Sequence, residues 1–292
     1  MSYLRWGLLS TARINRALIP PLKSSARNRV VAVASRDPAK AEAYAVQWGL
    51  PRAFGSYEAL LADPDIDVIY NPLPNHLHAE WTIRALAAGK HVLCEKPLAL
   101  SVAEVEAVAA AAARAGRVVM EAFMYRHHPQ TLKVQELAAG GAIGELQVIR
   151  GAFTFTLARP NDVRLRPEWG GGALWDVGCY PVSYARLLAG EPEAGFGRQR
   201  LGASGVDEVF AGHLVFANGV QAQFDCGFRA PFRAQLEVVG SAGVIEVPTP
   251  FKPGLRESLR LRRDDQVETL SVAGLVLYSV DVENLADAIL VG

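Results

Sequence analysis

Short apolar segments alternate with longer amphipathic ones through the first half of the chain. The nearly continuous apolar runs, which predict buried strands, are residues 3–9, 29–35, 66–70, 91–94 and 118–123. The segments with helical spacing between them are residues 39–48, 56–61, 76–88 and 101–116. Apolar strands separated by helices are typical of a parallel sheet with helices on both faces. The pattern therefore predicts an α/β domain built on a doubly wound parallel sheet.

Capping residues support several of these helix boundaries. Asp37 and Pro38 form an N-cap followed by a first-turn proline, and Gly49 is placed to end the helix that they begin. Ser101 and Glu104 have the spacing of a capping box at the start of an alanine-rich helix. One segment conflicts with the pattern. The prolines at positions 20–21 lie where a helix should follow the first strand, so we expect that helix to end early or to kink.

The pattern changes near residues 122–128, and β-rich segments then dominate. The alternating or β-rich runs are residues 146–156, 209–216, 220–228, 235–239, 244–247, 259–262 and 268–272. One helix is predicted at residues 174–188, and Asn218-Gly219 is a strong two-residue hairpin signal. These features predict an α+β domain with a large, mostly antiparallel sheet. We therefore expect two domains, residues 1–124 and residues 125–292.

Composition narrows the possible partners. Of the 292 residues half are hydrophobic, and 30 basic residues balance 30 acidic ones, so no charge excess favours nucleic acid or an anionic membrane surface. The N-terminus lacks the features of a secretory signal, and no segment approaches the roughly 18 apolar residues of a spanning helix. The cysteines, Cys94, Cys179 and Cys226, include no C-x-x-C pair. We expect a cytoplasmic protein with no metal site.

A parallel sheet binds ligands at the carboxyl ends of its strands, so the loops after the first, second, fourth and fifth strands are the candidate cofactor site. The first loop should carry G-x-G-x-x-G, but Ser10, Ala12 and Asn15 occupy the three glycine positions. On this motif alone, nucleotide binding is poorly supported. Ser10 and Thr11 can still donate hydroxyl groups, and the helix N-terminus that follows keeps its dipole.

The second strand ends in Ser35-Arg36, where an acidic residue would bind the ribose of NAD. An arginine at this position accommodates the 2′-phosphate of NADP instead, and Lys40 can add positive charge one turn along the next helix. The alternative is that both residues are ordinary solvated cations. In the context of the predicted fold, NADP is favoured over NAD.

Two motifs are candidates for the chemistry. Glu95-Lys96-Pro97 directly follows a strand, and its lysine can orient a substrate hydroxyl or lower the pKa of a neighbouring acid. In the second motif three glycines at positions 170–172 precede a helix on which Asp176 and Tyr180 share one face. A lysine ammonium near a tyrosine, whose ordinary pKa is about 10, would stabilise the phenolate as a proton acceptor. The alternatives are a surface turn for the first motif, and a dipole partner and a core aromatic for the second.

These motifs, together with residues 6–13 and 121–129, resemble the glucose–fructose oxidoreductase/inositol dehydrogenase (Gfo/Idh/MocA) family over essentially the whole chain. Tyrosine at position 180 resembles the branch with dimeric dihydrodiol dehydrogenase and NADP-dependent D-xylose dehydrogenase. The resemblance implies a Rossmann domain with a nicotinamide cofactor and assigns catalysis to Lys96, Asp176 and Tyr180. It implies that the cofactor-binding residues are Ser10, Thr11, Ala12, Arg13, Ile14, Ser35, Arg36, Lys40, Pro72, Leu73, Asn75, His76, Glu95, Lys96 and Tyr278.

The leading hypothesis is therefore an NADP-dependent oxidoreductase that acts on a carbon of a sugar, polyol or trans-diol. It expects the amine of Lys96 and the phenol of Tyr180 beside one nicotinamide ring. A catalytically weak NADP-binding sensor on the same scaffold, or a sugar–sugar oxidoreductase that does not release its cofactor, are alternatives. The resemblance also implies a homodimer or homotetramer formed through the C-terminal sheet. Family members continue beyond the position of Gly292, so the C-terminus is expected to be truncated.

Overall fold

A computed structural model describes residues 3–291 of the chain. These residues divide into two compact units, one of residues 3–123 together with residues 278–291 and one of residues 124–277. The expected domains, residues 1–124 and residues 125–292, differ from this division in the last segment. Residues 278–291 pack with the first unit.

The first unit contains a six-stranded sheet in which every pairing is parallel. Its strands are β1 Leu4–Leu9, β2 Asn28–Ala34, β3 Arg52–Phe54, β4 Val68–Asn71, β5 His91–Cys94 and β6 Val119–Glu121. Their spatial order is β3-β2-β1-β4-β5-β6. This is the order of dinucleotide-binding sheets, in which the direction of winding reverses between β1 and β4 and leaves a crevice beyond the strand ends. The predicted α/β class is confirmed.

Helices connect these strands, and their capping follows the sequence. They are α1 Asn15–Ser24, α2 Pro38–Trp48, α3 Tyr57–Ala62, α4 His78–Ala87 and α5 Val102–Ala115. Asp37 caps α2 by accepting the Lys40 N–H, and Gly49 ends that helix with a left-handed φ of 58°. Ser101 caps α5 by accepting the Glu104 N–H. Among the described residues, no helix combines the length and apolarity needed to cross a bilayer.

Helix α1 runs through Pro20 and Pro21 to Ser24, so of the two expected outcomes, an early end or a kink, the early end is wrong. Each proline removes a backbone hydrogen bond and costs about 3 kcal/mol in a helix interior. The same helix buries Leu18, Ile19 and Leu22 completely. Burial of such side chains contributes about 1.5–3 kcal/mol each, which is comparable with the loss. Tertiary packing therefore holds a helix that the local sequence disfavours.

The second unit contains an eight-stranded sheet with the spatial order β14-β13-β12-β11-β7-β10-β9-β8. Its strands are β7 Leu146–Thr156, β8 Pro192–Leu201, β9 Asp207–Phe216, β10 Gln221–Gly227, β11 Arg229–Gly240, β12 Val244–Val247, β13 Arg256–Arg263 and β14 Gln266–Ala273. Pairing is antiparallel except between β7 and β10. Two helices, α6 Pro129–Ala139 and α7 Cys179–Ala189, accompany the sheet. The predicted α+β class with a mostly antiparallel sheet is confirmed.

Two elements of this unit have no counterpart in the sequence prediction. Strand β8 is exposed along almost its whole length, so its sequence carries no alternation of apolar and polar positions. It forms because its backbone pairs with β9. Helix α6 buries Gln130 and Thr131 beside Val134, so the inward face is largely polar and an apolar stripe is absent.

The last helix, α8 Leu277–Leu290, belongs to the first unit from Tyr278 onward. Val282, Leu285 and Ala286 are fully buried and provide the apolar contact. On the surface, the Arg27 guanidinium pairs with Glu283 at 2.6 Å and with Asp287 at 2.5 Å. The apolar face supplies most of the stabilisation, since exposed ion pairs contribute only about 0–1 kcal/mol each.

Helix α8 also carries a buried acid, Asp281, whose side chain has no solvent exposure. Neither of its carboxyl oxygens has a hydrogen-bond partner among residues 3–291. Burial raises the pKa of Asp281 well above its ordinary value, and the nearby negative charge of Glu95 adds to the rise. Burial therefore favours the protonated, neutral form of Asp281 in the folded protein.

Replacement of Asp281 by asparagine is expected to flatten the dependence of stability on pH. An acid that is protonated when folded but ionised when unfolded takes up a proton on folding. Its contribution to stability therefore falls as the pH rises from the unfolded pKa, about 3.9, toward the raised folded pKa. Urea denaturation from about pH 5 to about pH 8 should show the free energy of unfolding of Asp281→Asn, minus that of the wild type, increasing by up to about 1.4 kcal/mol per pH unit.

The control is Asp287→Asn on the exposed side of the same helix, which should give no such increase. A constant offset between Asp281→Asn and the wild type would reflect altered packing alone. In that case Asp281 would not be a neutral buried acid.

Candidate active site

The loop between β1 and α1 turns without any of the glycines expected there. Ser10 makes the turn with a φ of 74°, a left-handed conformation that residues other than glycine rarely adopt. Its N–H donates to the Ala34 carbonyl, and the side-chain amide of Asn15 donates to its carbonyl, each at 2.9 Å. The loop leads directly into the N-terminus of α1, where backbone N–H groups and the helix dipole favour an anion. The predicted residues in this loop are Ser10, Thr11, Ala12, Arg13 and Ile14.

At the end of β2 the structure gives the predicted residues different surroundings. Ser35 is buried, and its hydroxyl accepts the Asp37 N–H at 3.2 Å. Arg36 is exposed and lies beside the phenol of Tyr57: burial raises the pKa of Tyr57, and the charge and hydrogen bond of Arg36 oppose that rise. The Lys40 ammonium lies 3.4 Å from the Asp37 carboxylate. Lys40 is thus engaged by the helix cap, whereas Tyr57 can orient Arg36.

Hydrogen bonds from buried polar side chains hold the loop after β4 in place. The Asn71 amide donates to the His78 carbonyl and to the Thr82 hydroxyl, each at 3.1 Å. The buried His78 ring lies 2.6 Å from the carbonyl oxygens of both Leu73 and Pro97, so it ties this loop to the one after β5. Burial lowers the pKa of His78, and the two carbonyl contacts oppose that. The predicted residues in this loop are Pro72 and Leu73, both buried, and Asn75 and His76, both half-buried.

The motif after β5 is anchored through its glutamate. Glu95 is buried, and its Oε1 accepts the hydroxyl of Tyr70 at 2.6 Å and that of Tyr278 at 3.2 Å. Burial raises the pKa of Glu95, while the Tyr70 hydrogen bond and the charge of Lys96 oppose the rise. Lys96 itself is half-buried, and its peptide bond to Pro97 is cis. In this unit Tyr278 therefore contacts the glutamate adjacent to the candidate catalytic lysine.

In the second unit the segment with Asp176 and Tyr180 does not begin as an ordinary α-helix. Residues Leu174–Gly178 form a π-turn, in which the Cys179 N–H donates to the Leu174 carbonyl, and α7 follows directly. The prediction of one regular helix over residues 174–188 is wrong in this first turn. Single π-turns within helices occur frequently at functional sites.

The glycines before this turn bring protein groups close together. A Cβ on Gly171 would lie 2.5 Å from the carbonyl oxygen of Arg164, and one on Gly172 would lie 2.0 Å from Oδ1 of Asp207. Gly172 also has a φ of 119°, which disfavours any side chain. The atoms that approach these two glycines therefore belong to the chain itself.

Asp176 is held by an arginine that the sequence did not single out. Its Oδ2 accepts the Nε–H of Arg164 at 2.6 Å, and the same guanidinium contacts Oδ1 of Asp162 at 3.1 Å. The Asp176 side chain is 15% exposed, so a partner of opposite charge favours its ionised form. No local pattern identifies Arg164, because it lies in a short 3₁₀ turn, Val163–Leu165, 12 residues before its partner.

Tyr180 is buried in an aromatic cluster. Its ring lies 5.3 Å from that of Phe153, 5.6 Å from that of Phe251 and 5.9 Å from that of Tyr125, measured between centroids. Its hydroxyl donates to the sulfur of Met124 at 3.8 Å. Packing on several sides restricts the ring to one orientation, as is required of a group that transfers a proton.

The described residues thus place the predicted cofactor residues and Lys96 at the carboxyl end of one parallel sheet, and Asp176 and Tyr180 on one turn of the other unit. Within residues 3–291, no three or more histidine, cysteine or acidic side chains are grouped so that they could hold a metal ion. The neighbouring residues that sequence reasoning missed are Tyr57 and Tyr70 in the first unit and Arg164 and Asp207 in the second.

Comparisons with known proteins identify the family. A model of the oxidoreductase family with an NAD-binding Rossmann fold matches residues 4–123, and a model of the GFO/IDH/MocA C-terminal domain matches residues 131–246. The chain is 38% identical to a D-xylose 1-dehydrogenase (NADP⁺) of Haloferax volcanii, over 99% of this chain and 90% of that one. It is 36% identical to a trans-1,2-dihydrobenzene-1,2-diol dehydrogenase of Xenopus laevis, over 84% of this chain and 75% of that one.

Solved structures of similar proteins have the same fold as this chain. A 3-ketoreductase from Actinomadura kijaniata in complex with NADP and TDP-benzene superimposes with a TM-score of 0.94 at 32% identity, covering 99% of this chain and 90% of that one. An aldose–aldose oxidoreductase from Caulobacter crescentus superimposes with a TM-score of 0.91 at 29% identity and the same coverage. The predicted resemblance is confirmed. The chain belongs to the Gfo/Idh/MocA family of oxidoreductases.

Proposed function

We propose that this oxidoreductase uses NADP to transfer a hydride to or from the hydroxyl-bearing carbon of a sugar, polyol or trans-diol. The observation that carries the proposal is the position of Lys96, half-buried directly after β5 at the carboxyl end of a doubly wound sheet. Similar proteins include enzymes named for D-xylose, for a dihydrodiol and for an aldose. Those names support a polyhydroxylated small molecule as the substrate class.

The residues of the first unit fit a dinucleotide. The left-handed turn at Ser10 gives the β1–α1 loop the backbone path that glycine usually provides, and the loop ends at a helix N-terminus suited to a pyrophosphate. Arg36 stands at the end of β2, where a 2′-phosphate would be bound, beside the Tyr57 hydroxyl. We propose that Asn75, His76 and Tyr278 line the nicotinamide end. When bound, the nicotinamide supplies or accepts the hydride.

Proton transfer is assigned to the chain's own side chains. In the proposed reaction Tyr180 takes the proton from the substrate hydroxyl during oxidation and returns it during reduction. The Lys96 ammonium stabilises the phenolate form, as a cation near a phenol does. Asp176, kept ionised by Arg164, accepts a hydrogen bond from a second substrate hydroxyl and so orients the sugar. A relative's structures include a tyrosine-to-phenylalanine and a lysine-to-alanine variant, which supports attention to these two residue types.

A second function is a sugar–sugar oxidoreductase, which would exchange hydride between two substrates without releasing NADP. The similarity to an aldose–aldose oxidoreductase favours this alternative. Absorbance of the purified protein near 340 nm, before and after addition of an aldose, distinguishes the two. A cofactor retained through gel filtration and reduced by the aldose would favour the exchange reaction.

Replacement of Lys96 by alanine or of Tyr180 by phenylalanine should lower kcat by about a hundredfold or more, because each removes a group that acts on the proton in transit. The wild type is first assayed by NADPH absorbance on aldoses, polyols, trans-diols and a nucleotide-linked sugar. The variants are then compared on the best substrate, while NADPH fluorescence measures cofactor binding, which should stay within a few-fold. Lys133→Ala, at an exposed pair with Glu136, is the control. Undiminished turnover of either variant would remove its proposed role.

Replacement of Arg36 by alanine should weaken NADP far more than NAD. A charge-assisted hydrogen bond contributes about 1.5–3 kcal/mol, so KM for NADP should rise roughly 10- to 100-fold while KM for NAD changes little. Arg29→Ala is the matched control, because Arg29 lies in β2, the strand that precedes Arg36, but stacks on Tyr3. Equal effects of Arg36→Ala on both cofactors would contradict recognition of the 2′-phosphate.

We also propose that the second unit's sheet pairs with a second copy of this chain. A groove of about 650 Å³ runs across one sheet face, and its lining includes the basic Arg150 and the acidic Glu237 and Glu246. Cross-strand register places Phe196 of β8 on the same face through His213, and the ring is 68% exposed. A sheet face that carries both an exposed aromatic residue and charges of both signs suits a self-complementary contact between two copies.

Phe196→Glu is expected to shift the protein from dimer toward monomer, because it places a charge in an apolar contact. Light scattering coupled to gel filtration measures the molar mass. Leu255→Glu, at a similarly exposed apolar residue (61%) elsewhere in the unit, should leave the mass unchanged. A wild-type protein that elutes as a monomer at all concentrations would overturn the pairing.

A further inference from the structure

A buried carboxylate stands at the start of the turn that carries Asp176 and Tyr180. Asp207 is the first residue of β9 and is 8% exposed. Its Oδ2 accepts the N–H of Leu174, the first residue of the π-turn, at 2.7 Å. The two residues lie 33 positions apart in sequence. The contact therefore exists only because the fold brings the strand to the helix.

The π-turn needs an acceptor at this end because it has no cap of its own. The first N–H groups of a helix lack intrahelical partners and are usually bonded by the side chain of the residue just before. Here that residue is Ala173, which makes no side-chain cap. The Asp207 carboxylate takes this role from another element, and its negative charge also suits the positive end of the helix dipole. Burial raises the pKa of Asp207, and the hydrogen bond from Leu174 opposes the rise.

The absence of a side chain at Gly172 leaves room for this carboxylate. A Cβ at position 172 would lie 2.0 Å from Oδ1 of Asp207, so any side chain there would displace it. At the other end of the π-turn, a Cβ on Gly178 would lie 2.7 Å from the sulfur of Cys226. The turn is therefore fitted closely to β9 and β10, and a shift of either contact would move the residues between them.

Of the residues assigned to the substrate, Asp176 lies between these contacts and Tyr180 lies two positions beyond the second. Asp176 lies two positions after Leu174 and is held by Arg164, while Tyr180 lies six positions after it. Two independent polar contacts thus fix the turn: one on its first backbone N–H and one on its third side chain. Loss of the first contact would leave the hydrogen bond between Asp176 and Arg164 as the other of these two restraints on the turn.

We propose that Asp207 is a positioning residue, which holds the π-turn in the geometry that Asp176 and Tyr180 require. The proposal rests on the proposed function of those two residues. Asp207 acts through the backbone of residues 173–174 and touches neither substrate nor cofactor. On this account, Gly172 in the glycine motif lacks a side chain so that the Asp207 carboxylate has room to reach the turn.

The test compares Asp207→Ala, which removes the acceptor, with Asp207→Asn, which keeps an oxygen of the same reach. Hydrogen–deuterium exchange followed by mass spectrometry measures protection of residues 173–180, and steady-state kinetics measure kcat and KM on the best substrate. Asp207→Ala should accelerate exchange in this segment and lower kcat about tenfold, with KM for NADP unchanged, because the proposed cofactor residues belong to the other unit. Asp207→Asn should recover most of both losses. Asp265→Asn, at an exposed hairpin, is the control.

Unchanged exchange of residues 173–180 in Asp207→Ala would overturn the proposal, as would faster exchange with undiminished kcat. Equal damage by Asp207→Asn would also overturn it, since the acceptor would then not matter. If Asp207→Ala does not fold, Gly172→Ala replaces it, because the added Cβ displaces the carboxylate and should accelerate exchange in the same segment. No acceleration in a folded Gly172→Ala would count against the proposal.

The exchange readout does not depend on activity. Faster exchange in Asp207→Ala together with full turnover of Tyr180→Phe would sink the proposed function of the phenol while leaving the contact between Asp207 and the π-turn established. Unchanged exchange in Asp207→Ala together with an inactive Tyr180→Phe would overturn the positioning role of Asp207 and leave the proposed function of the phenol standing.

Discussion

Parallel strands can be hydrogen-bonded side by side only when each is joined to the next by a crossover, and this constraint organises the first unit. Each crossover returns the chain to the same end of the sheet, so the loops after β1, β2, β4 and β5 gather beyond the carboxyl ends of the strands. Ser10, Arg36, His76 and Lys96 are far apart in sequence and share this end for that reason alone. Any ligand that spans these loops must bind there.

The first unit also buries two carboxyl groups, those of Glu95 and Asp281. Glu95 keeps two phenol hydrogen bonds on one oxygen, from Tyr70 in β4 and Tyr278 in α8, and so links the end of β5 to the last helix. Asp281, one turn further along α8, has no such partner within residues 3–291, and its burial favours the neutral form. The helix is thus a structural part of the region around Lys96 although it lies at the other end of the sequence.

In the second unit, contacts from distant parts of the chain hold the π-turn Leu174–Gly178. A π-turn is an irregular element, and the N–H group of its first residue, Leu174, has no side-chain cap from the preceding residue. Asp207 and Arg164 supply polar contacts from a strand and a loop, and the glycines at positions 171 and 172 leave room for them. Asp176 and the backbone of this turn owe their orientation to side chains that would not be noticed in a search for catalytic groups.

The sequence by itself determined what depends on neighbours along the chain. Apolar runs and capping residues such as Asp37 and Ser101 specify strands and helices locally, and the motifs around Lys96 and Tyr180 identify the family. Only the tertiary structure decided the rest. Strand β8 exists through pairing with β9, α1 passes through Pro20 through the burial of its neighbours, and α8 joins the first unit. The contacts of Asp207, Arg164 and Tyr278 span 12 to 183 positions, and such pairings leave no periodic trace because the strength of a hydrogen bond depends on distance in space and not on separation in sequence.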